Sequence, residues 1–262
     1  MLMQQGGNTP NVLSKKCRDR KTQRIDKLLS NFGFGSRSEL KRLFKNGAVK
    51  ANGEIVYDAS LHVDPEACTI EVDGRTLNYR KFIYLVMNKP AGVISATYDK
   101  KLKTAIDLLP EEYSCFDLFP AGRLDIDTEG MLLLTNDGHL AHNILSPKKH
   151  VDKKYYAIID GNVTTDDVIR FSEGIMLDDG YKTMPSELKI LNTDSQRSEI
   201  ELILHEGKFH QVKRMFEAVG KKVIYLKRIQ MGGLKLDHTL EPGSCRELTA
   251  EEVKLLSGDI GC

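Results

Sequence analysis

The sequence predicts an α+β fold, arranged as a small front unit and a larger strand-rich unit. Three observations lead there. Strand-like stretches dominate beyond Lys81, and the helical stretches between them are too irregular for the strand–helix alternation of a doubly wound sheet. A polar joint, Arg75 to Lys81, sets them off from a helix–helix–hairpin pattern. The 262 residues, 40% hydrophobic and 29% charged, have an ordinary globular composition and suffice for two cores of modest size. The expected divisions are an N-terminal basic arm over residues 1–22, disordered by composition, a front unit over 23–78 and a main unit over 79–262.

The front unit begins where periodicity begins. Ile25, Leu28 and Leu29 mark a short helix that stops near Gly33 and Gly35. Ser36-Arg-Ser-Glu39 is a capping-box pattern, and it opens a second helix with Leu40, Leu43 and Phe44 on one face, closed by Gly47. Val49 to Val56 alternates about Asn52-Gly53, a hairpin signal, and Thr69 to Val72 is a further strand. Beyond the joint, strands are expected at 82–87, 131–135, 155–159, 187–191, 199–204 and 223–227. Helices are expected at 138–145, 165–173 and 208–219, with another after Thr249, where Thr249-Ala-Glu-Glu252 is a second capping box. Gly220 stands where a helix C-terminal glycine belongs.

Composition excludes several classes. No apolar run approaches the roughly 20 residues that cross a bilayer, and residues 1–13 lack the pattern of a secretory signal. Cys17, Cys68, Cys115, Cys245 and Cys262 are scattered without a CxxC pair, so neither a disulfide framework nor a zinc cage is indicated and a reduced, cytoplasmic protein is expected. The formal net charge of +1 conceals a strong asymmetry. Residues 14–50 hold 12 Lys/Arg against 3 Asp/Glu, and residues 205–228 hold 7 against 2. Solvated surface lysines account for a single such run, whereas two runs on a nearly neutral chain point to a polyanion held at defined places.

The chemistry concentrates in Ala121-Gly-Arg-Leu-Asp-Ile-Asp-Thr-Glu-Gly130, which runs into the apolar Met131-Leu-Leu-Leu134. Arg123, Asp125, Asp127 and Glu129 alternate, so on an extended backbone they project together. So much charge beside a buried strand costs desolvation free energy unless it is paired or used. Three readings compete. Asp125, Asp127, Glu129 and Gly130 fit the first positions of a calcium loop, but the final acidic ligand is replaced by Asn136 and no helix enters. Surface ion pairs around a turn are the plain alternative. The third reading is a catalytic carboxylate kept ionised beside basic groups in a cleft. Other segments favour it. Gly207 to Phe216 places Lys213 and Arg214 on a short helix that Phe209, Val212, Met215 and Phe216 can anchor, and Tyr155 and Tyr156 must face opposite sides of one strand.

Gly122-Arg-Leu-Asp-Ile-Asp-Thr-Glu-Gly130, Lys153-Lys-Tyr155 and Glu206-Gly-Lys-Phe-His-Gln-Val-Lys-Arg-Met215 resemble the motifs of the RsuA-type ribosomal RNA pseudouridine synthases. Arg24-Ile-Asp-Lys-Leu-Leu29 through Val49-Lys-Ala-Asn-Gly-Glu54 resembles the alpha-L RNA-binding motif of a small-subunit ribosomal protein. The resemblance runs from about Arg24 to about Leu256 with its motifs in order. It implies a mixed, mostly antiparallel sheet with flanking helices and a small RNA-binding domain in front. It implies isomerisation of uridine to pseudouridine without a cofactor, metal or nucleotide, by a monomer acting on ribosomal RNA or a pre-ribosomal particle, away from any membrane. By the same resemblance Asp125 is the catalytic aspartate, Tyr155 stacks on uracil, Arg123 helps expel the target nucleotide, and Asp127 and Thr128 share in substrate binding. Lys213 is the implied partner of Asp125, with Arg214 as the competing candidate.

Arg24, Lys27, Arg37, Lys41 and Arg42, on two short helices, are candidates to track RNA phosphates. The Ser146-Pro-Lys-Lys-His150 and His210 to Met215 stretches resemble the small-subunit (16S) branch, with a large-subunit target as the alternative. A non-catalytic RNA-binding or ribosome-assembly factor would use the same basic runs, and a glycoside hydrolase would use Asp125 and Asp127 as a carboxylate pair, although no Trp offers a sugar platform. His139 and His142 share a helix face, but no third ligand stands at a convincing spacing and they read as helix histidines. His210 is a candidate cap or phosphate contact.

Overall fold

A computed structural model describes residues 22–257. The expected arm, apart from Thr22, lies outside the described residues. The chain divides between Lys81 and Phe82 into two compact units.

The first unit holds β1 (Gln23–Arg24), α1 (Ile25–Asn31), α2 (Arg37–Lys45), β2 (Val49–Ala51), β3 (Glu54–Ile55), β4 (His62–Val63), β5 (Ile70–Val72) and β6 (Arg75–Thr76). Ile25, Leu28 and Leu29 lie one helical turn apart and are buried against Leu40 and Phe44 of α2 and Val49 and Ile70 of the strands. The capping box is formed: the Glu39 amide donates to Ser36 Oγ at 3.4 Å, and the Ser36 amide donates to Glu39 Oε2 at 2.7 Å. Asn52 and Gly53 both adopt positive φ (52° and 84°), as a tight β2–β3 turn requires. The antiparallel order is β3-β2-β5-β6, with β1 and β4 paired separately. Arg24 corrects one expectation. It precedes α1 instead of lying on it, and its guanidinium is engaged by Asp26 at 2.7 Å.

The second unit holds β7 (Tyr84–Lys89), β8 (Phe119–Ala121), β9 (Glu129–Thr135), α3 (Gly138–Leu145), β10 (Lys153–Asp160), α4 (Thr165–Glu173), β11 (Glu187–Thr193) and β12 (Arg197–Leu204). It continues with α5 (Gln211–Glu217), β13 (Lys222–Met231), β14 (Leu234–Lys235), β15 (Cys245–Glu247) and α6 (Ala250–Ser257). Its sheet runs β11-β12-β10-β13-β9-β7-β15, with β14 beside β13 and β8 beside β9. Every pairing is antiparallel except β13 with β9. The fold is therefore the mixed, mostly antiparallel α+β arrangement that the resemblance implies.

Central β9 is apolar from Met131 to Leu134 because both of its faces are covered there. Leu132 and Leu134 pack on the layer that contains Phe171 of α4 and Val212, Met215 and Phe216 of α5. Met131 and Leu133 pack on the other, with Leu140, Ala141 and Ile144 of α3 and Leu256 of α6. Each such fully buried leucine is worth roughly 1.5–3 kcal/mol relative to exposure. In β10, Lys153, Tyr155, Ala157 and Ile159 are buried, while Tyr156 turns to the opposite face and donates to Glu199 at 2.7 Å.

Helix α5 is shorter than the expected 208–219. His210 is left-handed (φ 49°), and the Lys208 amide donates to Gln211 Oε1 at 2.9 Å, so the segment before Gln211 is a loop. Phe209 consequently does not anchor the helix and is 72% exposed.

Candidate active site

The acidic segment lies in the loop between β8 and β9 and is fastened at several points. Leu124 is buried, and its amide and carbonyl both bond to Ser95 Oγ, at 3.0 and 3.1 Å. The fully buried Lys89 ammonium donates to the carbonyls of Pro90 (2.9 Å), Ile126 (3.4 Å) and Thr128 (2.9 Å). Burial pushes that ammonium down to about 8. Gly130, at φ 98°, ends the loop where a Cβ would lie 2.3 Å from the Arg228 carbonyl oxygen of β13, so only glycine fits the parallel junction. A loop tied in this way holds its side chains in place before any substrate arrives.

The alternating acids do not project together. A turn, with the Thr128 amide donating to the Asp125 carbonyl at 3.1 Å, breaks the extended run. Arg123 and Asp125 line a cavity of about 730 Å³, whereas Glu129 accepts from Tyr225 at 2.7 Å outside that lining. Asp127 turns to Lys213, whose ammonium donates to both of its carboxylate oxygens at 2.6 and 2.8 Å and holds the Asp127 carboxyl below the usual range. The same ammonium stands 3.5 Å from Asp125 Oδ2. Of the two cations considered, it is thus Lys213 that meets Asp125. Arg214 is held instead by Asp178 and Asp179, the latter at 2.7 Å, and does not line the cavity. A cation between Asp125 and Asp127 also argues against the calcium reading, and among the described residues no group of three potential ligands converges.

The remaining walls come from the sheet and from the loop after β12. Tyr155 of β10 lines the cavity and is 8% exposed, with no partner for its hydroxyl among the described residues. Leu204, Leu226 and Val212 form apolar wall around it. His210 holds the N-cap position of α5 without a side-chain capping bond, and its Nε2 lies 3.8 Å from Asp125 Oδ1. Phe209 stacks on the His210 ring, centroids 3.8 Å apart at 17°. The buried Glu206 carboxylate orders this loop by accepting from Tyr181 (2.6 Å), the Met184 amide (3.0 Å) and Gln211 (2.8 Å). Thr128 is buried at the cavity with its hydroxyl unpartnered. The arrangement offers a carboxylate beside a cation, an aromatic face, and an exposed guanidinium, Arg123, at the entrance.

A family model described as RNA pseudouridylate synthase matches residues 83–218, and an S4 domain model matches residues 23–67. The chain belongs to the RNA pseudouridine synthase family. An RNA pseudouridine synthase of Bacillus subtilis, itself uncharacterized, is 51% identical over 89% of this chain and 98% of its own length. A Bacillus subtilis ribosomal large subunit pseudouridine synthase B is 40% identical over 89% of this chain and 95% of its own. A Vibrio vulnificus ribosomal small subunit pseudouridine synthase A is 38% identical over 88% and 97%. A crystal structure of a pseudouridylate synthase superposes with TM-score 0.63 at 35% identity, covering 89% of this chain and 99% of that one. The protein is accordingly an isomerase acting on RNA, with an N-terminal S4 domain. Among the described residues no helix is long and apolar enough to cross a membrane.

Sequence reasoning missed Lys89, Phe209 and Glu206. A lysine ending an apolar strand was a visible sign of the first. The others stand inside the Glu206–Met215 motif, but their places were not legible, because the αL turn at His210 that exposes Phe209 and seats Gln211 on Glu206 leaves no periodic trace.

Proposed function

We propose that this synthase isomerises a uridine of ribosomal RNA, small-subunit 16S RNA first, with Asp125 as the catalytic carboxylate. The observation that carries the assignment of Asp125 is its place on the cavity wall, 3.5 Å from Lys213 and in the same cavity as Tyr155. The N1–C1′ bond must break, the uracil must turn, and C5 must bond to C1′, with the C5 proton lost and a proton gained at N1. As uracil departs, C1′ becomes electrophilic. An ionised carboxylate facing it either attacks C1′ or removes the C2′ proton, and both routes need its negative charge, beside which the Lys213 ammonium stands at 3.5 Å.

Reaching the bond requires the nucleotide to leave its stack, at a cost of a few kcal/mol. A base on the Tyr155 ring recovers roughly 1–3 kcal/mol. Arg123, exposed and without a side-chain partner among the described residues, suits the displaced nucleotide's phosphate. In the S4 domain, Lys27, Arg37, Lys41 and Arg42 are exposed and suit phosphates of folded RNA, with Arg24 a weaker contributor because of Asp26. Relatives named for the small and for the large subunit match at similar identity, so support for 16S comes from the Ser146 to His150 and His210 to Met215 stretches. The test is a pseudouridine map of 16S and 23S RNA from cells with and without the gene. One 16S position lost on deletion and restored by the gene supports the reading; loss in 23S alone moves the target to the large subunit.

A further inference from the structure

Two cations lie beneath the cavity without a counter-ion. Arg228 of β13 and Lys153 of β10 both line it, yet they are only 2% and 4% exposed. Arg228 Nε donates to the Met131 carbonyl at 2.7 Å, while its buried Nη2 has no hydrogen-bond partner. The Lys153 ammonium donates to the Val151 carbonyl at 3.0 Å. Neither cation has a carboxylate within ion-pair distance among the described residues. The acids that face Lys153 are already engaged: Glu206 accepts from Tyr181, Met184 and Gln211, and Asp152 stands 3.1 Å from His205. Burying two like charges side by side is costly, and a neutral pair of similar size would be cheaper. Such an arrangement is intelligible where an anion arrives during function.

The place of the pair says which anion. Tyr155 is the register partner of Arg228 across the β10–β13 pairing, and Lys153 is two residues from Tyr155 on the same face. The cations therefore stand beside the aromatic that receives the base, on the same face of the sheet, whereas the exposed Arg123 serves the phosphate. When the N1–C1′ bond breaks, both bonding electrons go to the uracil, whose negative charge spreads over N1, O2 and O4. The charge is consumed when C5 bonds to C1′; the C5 proton then passes to solvent while N1 takes one up.

We propose that Lys153 and Arg228 form a cationic floor that stabilises the detached uracil as an anion between bond breaking and bond making. This rests on the reading of the cavity given above. The cations hold charge that exists only after cleavage, so they act on the chemical step and not on RNA affinity.

The test is single-turnover release of tritium from 5-tritiated 16S and 23S transcripts by full-length protein, with RNA affinity measured in parallel. Lys153→Met should slow release about 100-fold, as loss of one charge-stabilising donor does elsewhere, with Kd within about threefold. Lys153→Arg tests the same claim without removing the charge. The Lys153 ammonium is pushed down to about 8 by burial and by the neighbouring Arg228, against the opposing pull of Asp152 and Glu206. Wild-type release should thus decline as pH rises through the Lys153 titration, and Lys153→Arg should be active without that decline. An unchanged rate in Lys153→Met, a loss confined to Kd and its salt dependence, or an identical alkaline limb in Lys153→Arg overturns the proposal. The Kd result would make the pair a phosphate site. Wild-type protein silent on both transcripts contradicts the parent reading instead.

Discussion

Removing the Lys213 ammonium is a sharp perturbation of the proposed site, and its size follows from one distance. Lys213→Met keeps most of the side-chain volume and deletes the charge 3.5 Å from Asp125 Oδ2. Coulomb attraction at that separation is about 1 kcal/mol in water and about 5 kcal/mol at an effective dielectric of 20. Both groups are partly solvated, Lys213 at 21% and Asp125 at 25% side-chain exposure, so solvent screens the pair toward the lower half of that range. Asp127 moderates the loss, since it already takes part of the Lys213 charge at 2.6 Å. A reduction of about 1–3 kcal/mol in transition-state stabilisation corresponds to a rate lowered roughly 5- to 150-fold. Tritium release at saturating enzyme measures it, and Lys213→Arg, which keeps the charge, should retain most of the rate. Wild-type release by Lys213→Met would show that the cation does not support the Asp125 carboxylate.

Other consequences are as specific. Gly130→Ala should destabilise the second unit by about 3 kcal/mol or more, because the residue is at φ 98° and its Cβ would meet the Arg228 carbonyl at 2.3 Å; an unchanged urea midpoint would refute the close approach. Phe209→Ala should weaken RNA binding roughly 5- to 150-fold if this exposed ring stacks on a base flanking the target, with no change in melting because it packs on little but His210; equal affinity would leave the ring without that role. Neutralising Lys27, Arg37 and Lys41 together should lower the salt slope of RNA binding by about 2–3, since each phosphate contact contributes about 0.7–0.9; an unaltered slope would remove α1 and α2 from the docking surface.

Much of this was legible in the sequence, for physical reasons that differ by element. Helices α3 and α4 begin and end as expected because local caps and the 3.6-residue period determine them. β9 and β10 were visible as an apolar run and an alternating strand. The two-residue strands β1, β4, β6 and β14 were not, since they exist through their partners and carry no period of their own. The site divides in the same way. That Asp125 stands beside Lys213 and shares a cavity with Tyr155 was legible, because motif and chemistry coincide there. The roles of Asp127 and Arg214 were not, because a turn at Asp125–Thr128 and the acids Asp178 and Asp179, distant in sequence from the basic helix, decide them. Lys153 begins a recognised motif and Arg228 sits among ordinary strand residues, yet only the structure reveals their burial without counter-charge.

Asp125→Asn isolates the central claim, since it replaces a charged oxygen with a neutral amide of the same shape. Purified full-length wild type and variant should be compared on 5-tritiated ribosomal RNA for tritium release and for RNA affinity. The account predicts release abolished in the variant with Kd within a few-fold of wild type. Sustained release by Asp125→Asn would contradict it.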